Sequence, residues 1–266
     1  MRRFKIRKIY TYSAFKDIQK IQKKVWHHGN IDITPLHHLN ISSRTGAILL
    51  GAFLDEKMVG FVYSFPAVFN QKLAQHSHQL AVLPQYRGLD IGKKLKWAQK
   101  KEALRKGYDL ITWTADPLIA KNANLNLHTL RVEINTYIHK FYQETRTLSV
   151  IPGMPIDRLL IMWPIRNISY RRKKQELYSM PDNWPKALYG KQRDKILWPS
   201  SIELNLNDRY ILVELIQNVF DFVSKPEVVL KWQIYIRKTL KHYFSRGYTA
   251  VDFLYGDRCY YILEKR

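Results

Sequence analysis

The sequence has little of what would place it in several broad classes of protein. Its single cysteine, Cys259, excludes an internal disulfide and is typical of a reducing compartment, so a cytoplasmic location is predicted. The longest apolar stretch, residues 46–54, is too short to span a bilayer and predicts a buried strand. The basic residues 1–8 have no apolar segment behind them, unlike a secretory signal. No membrane partner is therefore expected.

Two well-known phosphate-binding signatures are also absent. The chain has no GxxxxGK[ST] sequence, which argues against a P-loop nucleotide hydrolase. It has no GxGxxG sequence either, which argues against the usual dinucleotide-binding turn.

Acidic residues are scarce beside basic ones. The chain has 22 Asp and Glu against 44 Lys and Arg, a formal net charge of +22. Such a surplus favours an anionic partner such as nucleic acid, an acidic membrane or a polyphosphate cofactor. The alternative is that many lysines only solvate helix faces, and composition alone leaves both interpretations open.

Apolar runs alternate with amphipathic segments along the first 165 residues, which predicts an α/β fold with a central sheet covered by helices. Strands are predicted at 46–54, 58–67, 75–83, 109–115, 133–137 and 158–164. Helices are predicted at 13–27, capped by Ser13, at 91–106, with Ile91, Leu95 and Ala98 facing the core, and at 122–130.

The rest of the chain divides into two parts. Residues 166–200 carry a basic run and several prolines without a sustained period, which predicts a linker or a wrapping loop. Residues 201–266 predict a smaller α+β extension: a helix over 212–223, a second helix opened by the Ser224 to Glu227 capping box, and a β-hairpin after Gly247.

The most informative segment is LAVLPQYRGLDIGKKL, residues 80–95. An apolar strand runs into Pro84, then an Arg/Gly-bearing turn, then a helix rich in lysine. The first amides of a helix have no partner within the helix, and its dipole is positive at that end. This segment therefore predicts a site for a phosphate group.

At this point the chain resembles the GNAT superfamily of acyl-CoA N-acyltransferases. The family's Q/R-x-x-G-x-G/A loop corresponds to Arg87, Asp90 and Gly92, and the resemblance covers about residues 10–165. The segments HSHQLAVLPQYRG, ITWTADPLIAKNANLNLHTL and MPIDRLLI are similar to a bacterial subgroup of predicted acyltransferases that also carries a C-terminal extension.

The resemblance implies a mixed central sheet flanked by helices, with acetyl-CoA or another acyl-CoA as co-substrate, no metal, and a small primary amine such as an amino acid as acceptor. The acyl group would be acetyl or succinyl, and the protein a monomer or homodimer. Backbone groups of one strand would hold the pantetheine arm, and amides of the following turn would hold the pyrophosphate. The implied cofactor-binding residues are Leu80, Ala81, Val82, Arg87, Gly88, Leu89, Asp90, Ile91, Gly92, Lys93, Asn122 and Asn126.

One residue departs from the family pattern. Asp90 stands where the first glycine of the loop is usual. Aspartate tolerates a left-handed backbone, but its carboxylate repels a pyrophosphate unless Lys93 or Lys94 neutralises it. The alternative is therefore a non-catalytic copy of the fold that binds RNA or another polyanion through the basic run at 171–174 with Tyr170 and Tyr178.

Candidate catalytic residues come from two places. By resemblance, Tyr142 matches the acid that protonates the leaving thiolate, with Tyr137 second. His76 and His78 are two apart on one strand, so their side chains share a face, and His78 would be the base. The alternatives are that the tyrosine packs against the sheet and that the histidines are surface or core residues. A metal pair lacks an obvious further ligand.

Asn122 and Asn126 are four apart on the short predicted helix and would share a face that could bond CoA amides. Helix capping or exposure to solvent is the alternative. Asp116 precedes a proline and predicts a turn, although it could also touch the acceptor amine.

Overall fold

The computed structural model describes residues 4–26, 29–142, 154, 156–166 and 184–266. Contacts divide the chain into an N-terminal unit, Met1–Trp113 with Trp163–Asn167, and a C-terminal unit, Thr114–Met162 with Ile168–Arg266. The sequence predicts a boundary near residue 165 instead. The difference arises because residues 114–162 pack with the rest of the C-terminal unit, for example through a β-bridge between Ile134 and Ala250.

In its described residues the N-terminal unit combines one sheet with three α-helices. Its elements in chain order are β1 (Lys5–Lys8), α1 (Tyr12–Trp26), α2 (Leu36–Arg44), β2 (Ile48–Leu54), β3 (Lys57–Phe69), β4 (Lys72–Val82), α3 (Ile91–Arg105) and β5 (Leu110–Ala115), which ends beyond the unit boundary. The strands neighbour one another in the order β1-β2-β3-β4-β5, antiparallel except for the parallel β4–β5 pair. The α/β class with a mixed sheet flanked by helices is thus confirmed.

Helix α1 packs an apolar stripe into the core. Phe15 and Ile18 are fully buried, as the helical spacing predicts. The helix begins at Tyr12, one residue earlier than predicted, and the Ala14 amide donates to Oγ1 of Thr11 at 3.3 Å. Thr11, rather than Ser13, therefore caps the helix.

Helix α2 has no counterpart in the sequence-based prediction. Only Leu39 and Ser42 are buried in its nine residues, so the helix offers too few apolar positions for a visible period. Tertiary contacts hold it instead, among them a 3.0 Å hydrogen bond between the hydroxyls of Ser42 and Tyr63.

The C-terminal unit contains α4 (Ala120–Ala123), which continues as a π-helix (Asn124–Thr129), and the antiparallel pair β6 (Thr136–Tyr142) and β7 (Ile156–Pro164), whose last residues lie beyond the unit boundary. A five-stranded sheet follows, in the order β11-β12-β10-β8-β9. Its elements are β8 (Lys186–Arg193), β9 (Ile196–Ile202), β10 (Tyr210–Leu215), α5 (Pro226–Ser245), β11 (Tyr248–Leu254) and β12 (Cys259–Lys265). Helix α5 and the β11–β12 hairpin confirm two predicted elements.

Three predictions for this unit are wrong. Residues 186–200 form β8 and β9 rather than an irregular linker. The helix predicted over 212–223 is instead strand β10 followed by a short 3-10 helix, Val219–Phe222. Strand β10 is buried on both faces from Ile211 to Leu215, so its residues do not alternate between buried and exposed, and such a run cannot be told from a helix by period alone. Lys225, not Ser224, precedes α5, without a side-chain cap.

Candidate functional site

Strands β4 and β5 are paired over a very short length. Their register joins Gln75 to Ile111 and His76 to Thr112, whereas β4 remains paired with β3 as far as Val82. Beyond His76, therefore, the backbone groups of β4 that face away from β3 have no ladder partner in β5. The two parallel strands fork at this point, and the edge of β4 over residues 77–82 can hydrogen-bond an extended ligand.

A β-bulge lies where the fork opens. Tyr63 pairs with Gln79 but Ser64 pairs with Ser77, so His78 is an extra residue in β4. The bulge turns two consecutive side chains toward the same face. The His78 ring centroid is 5.9 Å from that of Tyr63, and Gln79 accepts a hydrogen bond from Gln22 of α1 at 2.8 Å.

The turn after β4 leads into α3 with an unusual backbone. Gly88 has φ of 80° and Asp90 has φ of 57°, both in the left-handed region. The left-handed conformation expected of Asp90 is thus present. Its exposed carboxylate makes no capping hydrogen bond, so no side chain at the cap position occupies the first amides of α3. These amides point toward the end of the helix, where an anion is favoured.

The glycines keep the approach to these amides open. A Cβ at Gly88 would meet no heavy atom within 4 Å, and one at Gly92 would lie 3.9 Å from Cδ2 of Leu80. The Arg87 side chain is exposed, and its Nε donates to the carbonyl of Val82 at 3.3 Å. The N-terminal unit thus brings together most of the implied cofactor-binding residues: Leu80, Ala81 and Val82 on β4, Arg87, Gly88, Leu89 and Asp90 in the turn, and Ile91, Gly92 and Lys93 on α3.

The two histidines of β4 share one face, as the strand period predicts. The ring centroid of Phe65 is 5.5 Å from His76 and 5.7 Å from His78. His78 keeps an exposed surface, yet desolvation by the surrounding protein, with His76 and His38 nearby, lowers its pKa to about 4. His78 is therefore neutral at physiological pH and has a nitrogen free to accept a proton.

The same fork holds a buried cation that sequence reasoning missed. Lys96 on α3 is 2% exposed. Its Nζ donates to Oε1 of Gln99 at 2.8 Å and to Oγ of Ser77 at 3.1 Å, and lies 3.7 Å from the ring centroid of Trp113. Burial lowers the pKa of this ammonium well below its usual value. No sequence pattern marks it, because the helix has many lysines and the others at its surface look alike.

In the C-terminal unit, Tyr142 ends β6 and its ring lies 5.6 Å from the Arg158 guanidinium. Arg158 is in turn held by Thr114, to whose Oγ1 and carbonyl it donates at 3.0 and 3.1 Å. Tyr137 has a different environment. Its hydroxyl donates to Asp157 at 2.8 Å, and burial together with that carboxylate raises its pKa. Tyr137 is therefore a poor acid, which leaves Tyr142 as the candidate.

Asn122 and Asn126 differ in burial. Asn122, on α4, is exposed, whereas Asn126, in the π-helix that begins at Asn124, is 5% exposed. Asp116 fulfils the predicted turn role, since its Oδ1 accepts from the Leu118 amide at 2.8 Å. Burial raises the pKa of Asp116.

Two further observations concern the described residues, and one predicted contact lies outside them. The described residues contain no group of three or more His, Cys, Asp or Glu side chains placed to hold a metal ion. None of their helices has both the length and the apolar character needed to cross a membrane. The basic run at 171–174, with Tyr170 and Tyr178, lies outside them.

Comparisons with known proteins agree with this geometry. Residues 12–130 match the acetyltransferase (GNAT) family. The structure of yncA from Salmonella typhimurium with its cofactor acetyl-CoA superposes with a TM-score of 0.50 at 15% identity, covering 62% of this chain and 95% of that one. For the ribosomal-protein-S18-alanine N-acetyltransferase of Escherichia coli the TM-score is 0.47 at 15% identity, with 61% and 94% covered. The likeness to yncA, at 15% identity, indicates a common fold alone. Among curated proteins, none matches this chain.

Proposed function

We propose that this chain, whose residues 12–130 match the acetyltransferase (GNAT) family, transfers an acyl group from acyl-CoA to a primary amine. The observation that carries the proposal is the combination of the open β4 edge with the uncapped start of α3. The first suits an extended amide-bearing arm and the second suits a pyrophosphate.

The dimensions of β4 fit the length of the pantetheine arm. Between the pyrophosphate and the sulfur this arm has about twelve bonds, which span roughly 13 Å when extended, the length of four residues of strand. An arm that begins beside Val82 therefore ends beside His78, at the bulge. Leu80, Ala81 and Val82 would bond the arm through their backbone, and amides of 88–93 would bond the pyrophosphate.

Acyl transfer needs a neutral amine and a way to stabilise charge. We assign His78 the role of base because of its place at the bulge. Its lowered pKa keeps the ring neutral but makes it a weak base, so it would take the amine proton only as the nitrogen–carbon bond forms and that nitrogen becomes positively charged. An amide of β4 beside the thioester would stabilise the negative charge that develops on its oxygen. Tyr142 would donate a proton to the departing sulfur, with the Arg158 guanidinium beside its ring.

The acceptor is proposed to be a small molecule such as an amino acid, and the acyl group acetyl or succinyl. The family resemblance supports the donor class, and the acceptor rests on resemblance alone. Location in the cytoplasm and a monomeric or dimeric state remain predictions. Asn122, which is exposed, is retained as a cofactor-binding candidate, whereas the burial of Asn126 makes it a weaker one.

The direct test is to incubate the protein with acetyl-CoA and succinyl-CoA and a panel of amines while following release of the thiol. Acyl-CoA should also raise the Tm at modest ionic strength. The alternative, a non-catalytic protein that binds RNA, predicts no thiol release, no effect of acyl-CoA on Tm, and RNA binding that weakens steeply with salt.

The proposed acid is tested with two phenylalanine variants on the same strand. Tyr142→Phe should lower kcat by about 10²-fold or more, because the thiolate then leaves unprotonated. Tyr137→Phe is the matched control, since its hydroxyl is committed to Asp157. Equal turnover of Tyr142→Phe and wild type at neutral and high pH would remove Tyr142 from the mechanism.

A further inference from the structure

The ammonium of Lys96 is completely enclosed by acceptors that carry no charge. An ammonium has three N–H groups. Lys96 directs them to Gln99 Oε1 at 2.8 Å, to Ser77 Oγ at 3.1 Å and to the face of the Trp113 ring at 3.7 Å. The arrangement is that of a cation cage, in which each proton has an oxygen or a π-face opposite it.

In the described part of the chain no carboxylate forms an ion pair with this cation. The five carboxylates there that are at most 9% exposed each have a basic partner: Glu102 with Lys8 and Arg105, Asp157 with Arg237, Glu214 with Arg258, Asp252 with Arg131, and Glu264 with Arg209 and Arg266. Among the same described residues, Lys96 has no such partner. Burying an ammonium without a counter-ion costs folding free energy, whereas an apolar side chain of similar length would not.

A contribution to folding stability therefore does not explain why Lys96 is a lysine. Its position beside the β4–β5 fork suggests another role. Ser77 and Trp113 directly follow His76 and Thr112, the last residues at which β4 and β5 are paired. Lys96 bridges the two strands immediately behind the fork. The adjoining residue of β4 is His78, beside which the extended arm would end.

The charge of Lys96 also acts across the sheet. His76 contacts Phe65 and Thr112 on the opposite face, and its pKa is lowered first by burial and then by Lys96. A positive charge that repels a proton at His76 attracts a negative charge at a similar distance.

We propose that Lys96 is a positioning residue whose positive charge lies behind the β4–β5 fork and stabilises the negative charge of acyl transfer. This role rests on the proposed function. In the step, the amine nitrogen forms a bond to the acyl carbon while the carbon–sulfur bond breaks. The electron pair of that bond goes to sulfur, the amine proton goes to the base, and the sulfur takes a proton from the acid. Charge that develops on oxygen and then on sulfur lies near the fork.

The test compares Lys96→Met with wild type and with Lys100→Met. Lys100 is the matched control because it lies on the same helix and 5.2 Å from the Trp163 ring, yet is only partly buried and does not contact Ser77. Lys96→Met should lower kcat by about tenfold or more while the KM for acyl-CoA changes by less than about twofold. Its Tm should be equal to that of wild type or higher. Lys100→Met should leave kcat unchanged.

A second measurement does not depend on turnover. NMR titration of the His76 ring should give a higher pKa in Lys96→Met than in wild type, because the repelling charge is gone. Lys96→Gln, which can still bond Ser77 and Gln99, should behave in the same way and serves if the Met variant does not fold.

The outcomes separate the two proposals. Unchanged kcat, or an unchanged His76 pKa in an active enzyme, would overturn the role of Lys96 alone. A fall in Tm that accompanies the fall in kcat in both variants would make Lys96 a structural tie and would also overturn it. Wild-type protein that releases no thiol from any donor would overturn the proposed function, and the role of Lys96 with it.

Discussion

Two buried charged residues, one in each unit, have opposite kinds of hydrogen-bond partner. Asp157 of the C-terminal unit is 1% exposed and accepts four hydrogen bonds, from Arg237 Nε at 2.7 Å, Tyr137 and His139 at 2.8 Å, and the Lys140 amide at 2.9 Å. Lys96 of the N-terminal unit is as deeply buried but has only neutral partners.

The difference in partners determines whether each buried charge stabilises the folded protein. Burial raises the pKa of Asp157, but its four donors together outweigh burial and the net pKa is lowered. The carboxylate is therefore more stable in the folded protein than in the unfolded chain. The pKa of Lys96 is lowered by burial, so its charge is less stable in the folded protein. Asp157 stabilises its unit, whereas Lys96 destabilises its own.

The largest effect is expected on removal of Asp157, the buried charge that stabilises its unit. Asp157→Ala leaves Arg237 without its carboxylate and should lower the free energy of unfolding by about 3–5 kcal/mol. Chemical denaturation measures this, with the exposed Asp257→Ala as control. Because the folded pKa of Asp157 lies below its unfolded value near 3.8, its contribution is complete above that pH and is lost as the pH falls through the folded pKa. An equal effect of the two substitutions would contradict this account.

The second prediction has the opposite sign. Lys96→Met should raise the free energy of unfolding by about 1–2 kcal/mol at pH 7, because Ser77 and Gln99 also bond each other and lose no essential partner. The unfolded chain binds this proton more tightly than the folded one, so wild type gains stability as the pH rises toward 10.5. The advantage of the variant should therefore shrink between pH 7 and 10. Denaturation across that range checks it, and a destabilised variant would count against it.

A third charged residue, the exposed Asp90, is expected to affect ligand binding and not folding. Asp90→Asn keeps a residue that tolerates φ of 57° but removes a negative charge from the turn. Acyl-CoA should bind about threefold to tenfold more tightly, with little change in Tm. Calorimetry at two salt concentrations measures this, since added salt should reduce the difference. Unaltered affinity at low salt would indicate that the pyrophosphate lies elsewhere.

The smallest effect is expected for the contribution of His78 to the pH dependence of stability. Its pKa of about 4 in the folded protein keeps the ring neutral above that pH. In the unfolded chain the imidazole of His78 takes up a proton as the pH falls below about 6.5. Stability should therefore be complete above pH 6.5 and fall as the pH decreases from 6.5 to 4. His78→Gln should flatten this part of the pH profile, and NMR should find the His78 midpoint near 4. A midpoint near 6.5 would refute the environment described here.

Much of the geometry of the proposed phosphate site could be predicted from sequence, because it depends on neighbours along the chain. Gly88, the left-handed Asp90 and the start of α3 at Ile91 lie within a few residues, and their backbone preferences are local. The strands around them follow from runs of apolar residues. The same reasoning failed at β10, where burial on both faces removes the alternation that distinguishes a strand from a helix.

The features on which the proposed chemistry depends are formed by contacts between segments that are distant in the chain. The bulge at His78 exists only through the register of β4 with β3. The different burial of Asn122 and Asn126 depends on what packs against α4 and the π-helix that follows it, which the spacing of the residues does not reveal. The cage of Lys96 needs a serine from β4 and a tryptophan from β5.

By itself, then, the sequence determined where a phosphate group would be favoured, since backbone dihedrals and helix ends are set by adjacent residues. Only the tertiary structure decided which of many similar lysines became a buried cation. Desolvation depends on what surrounds a group in space, and the strands that surround Lys96 come from segments far apart in the chain.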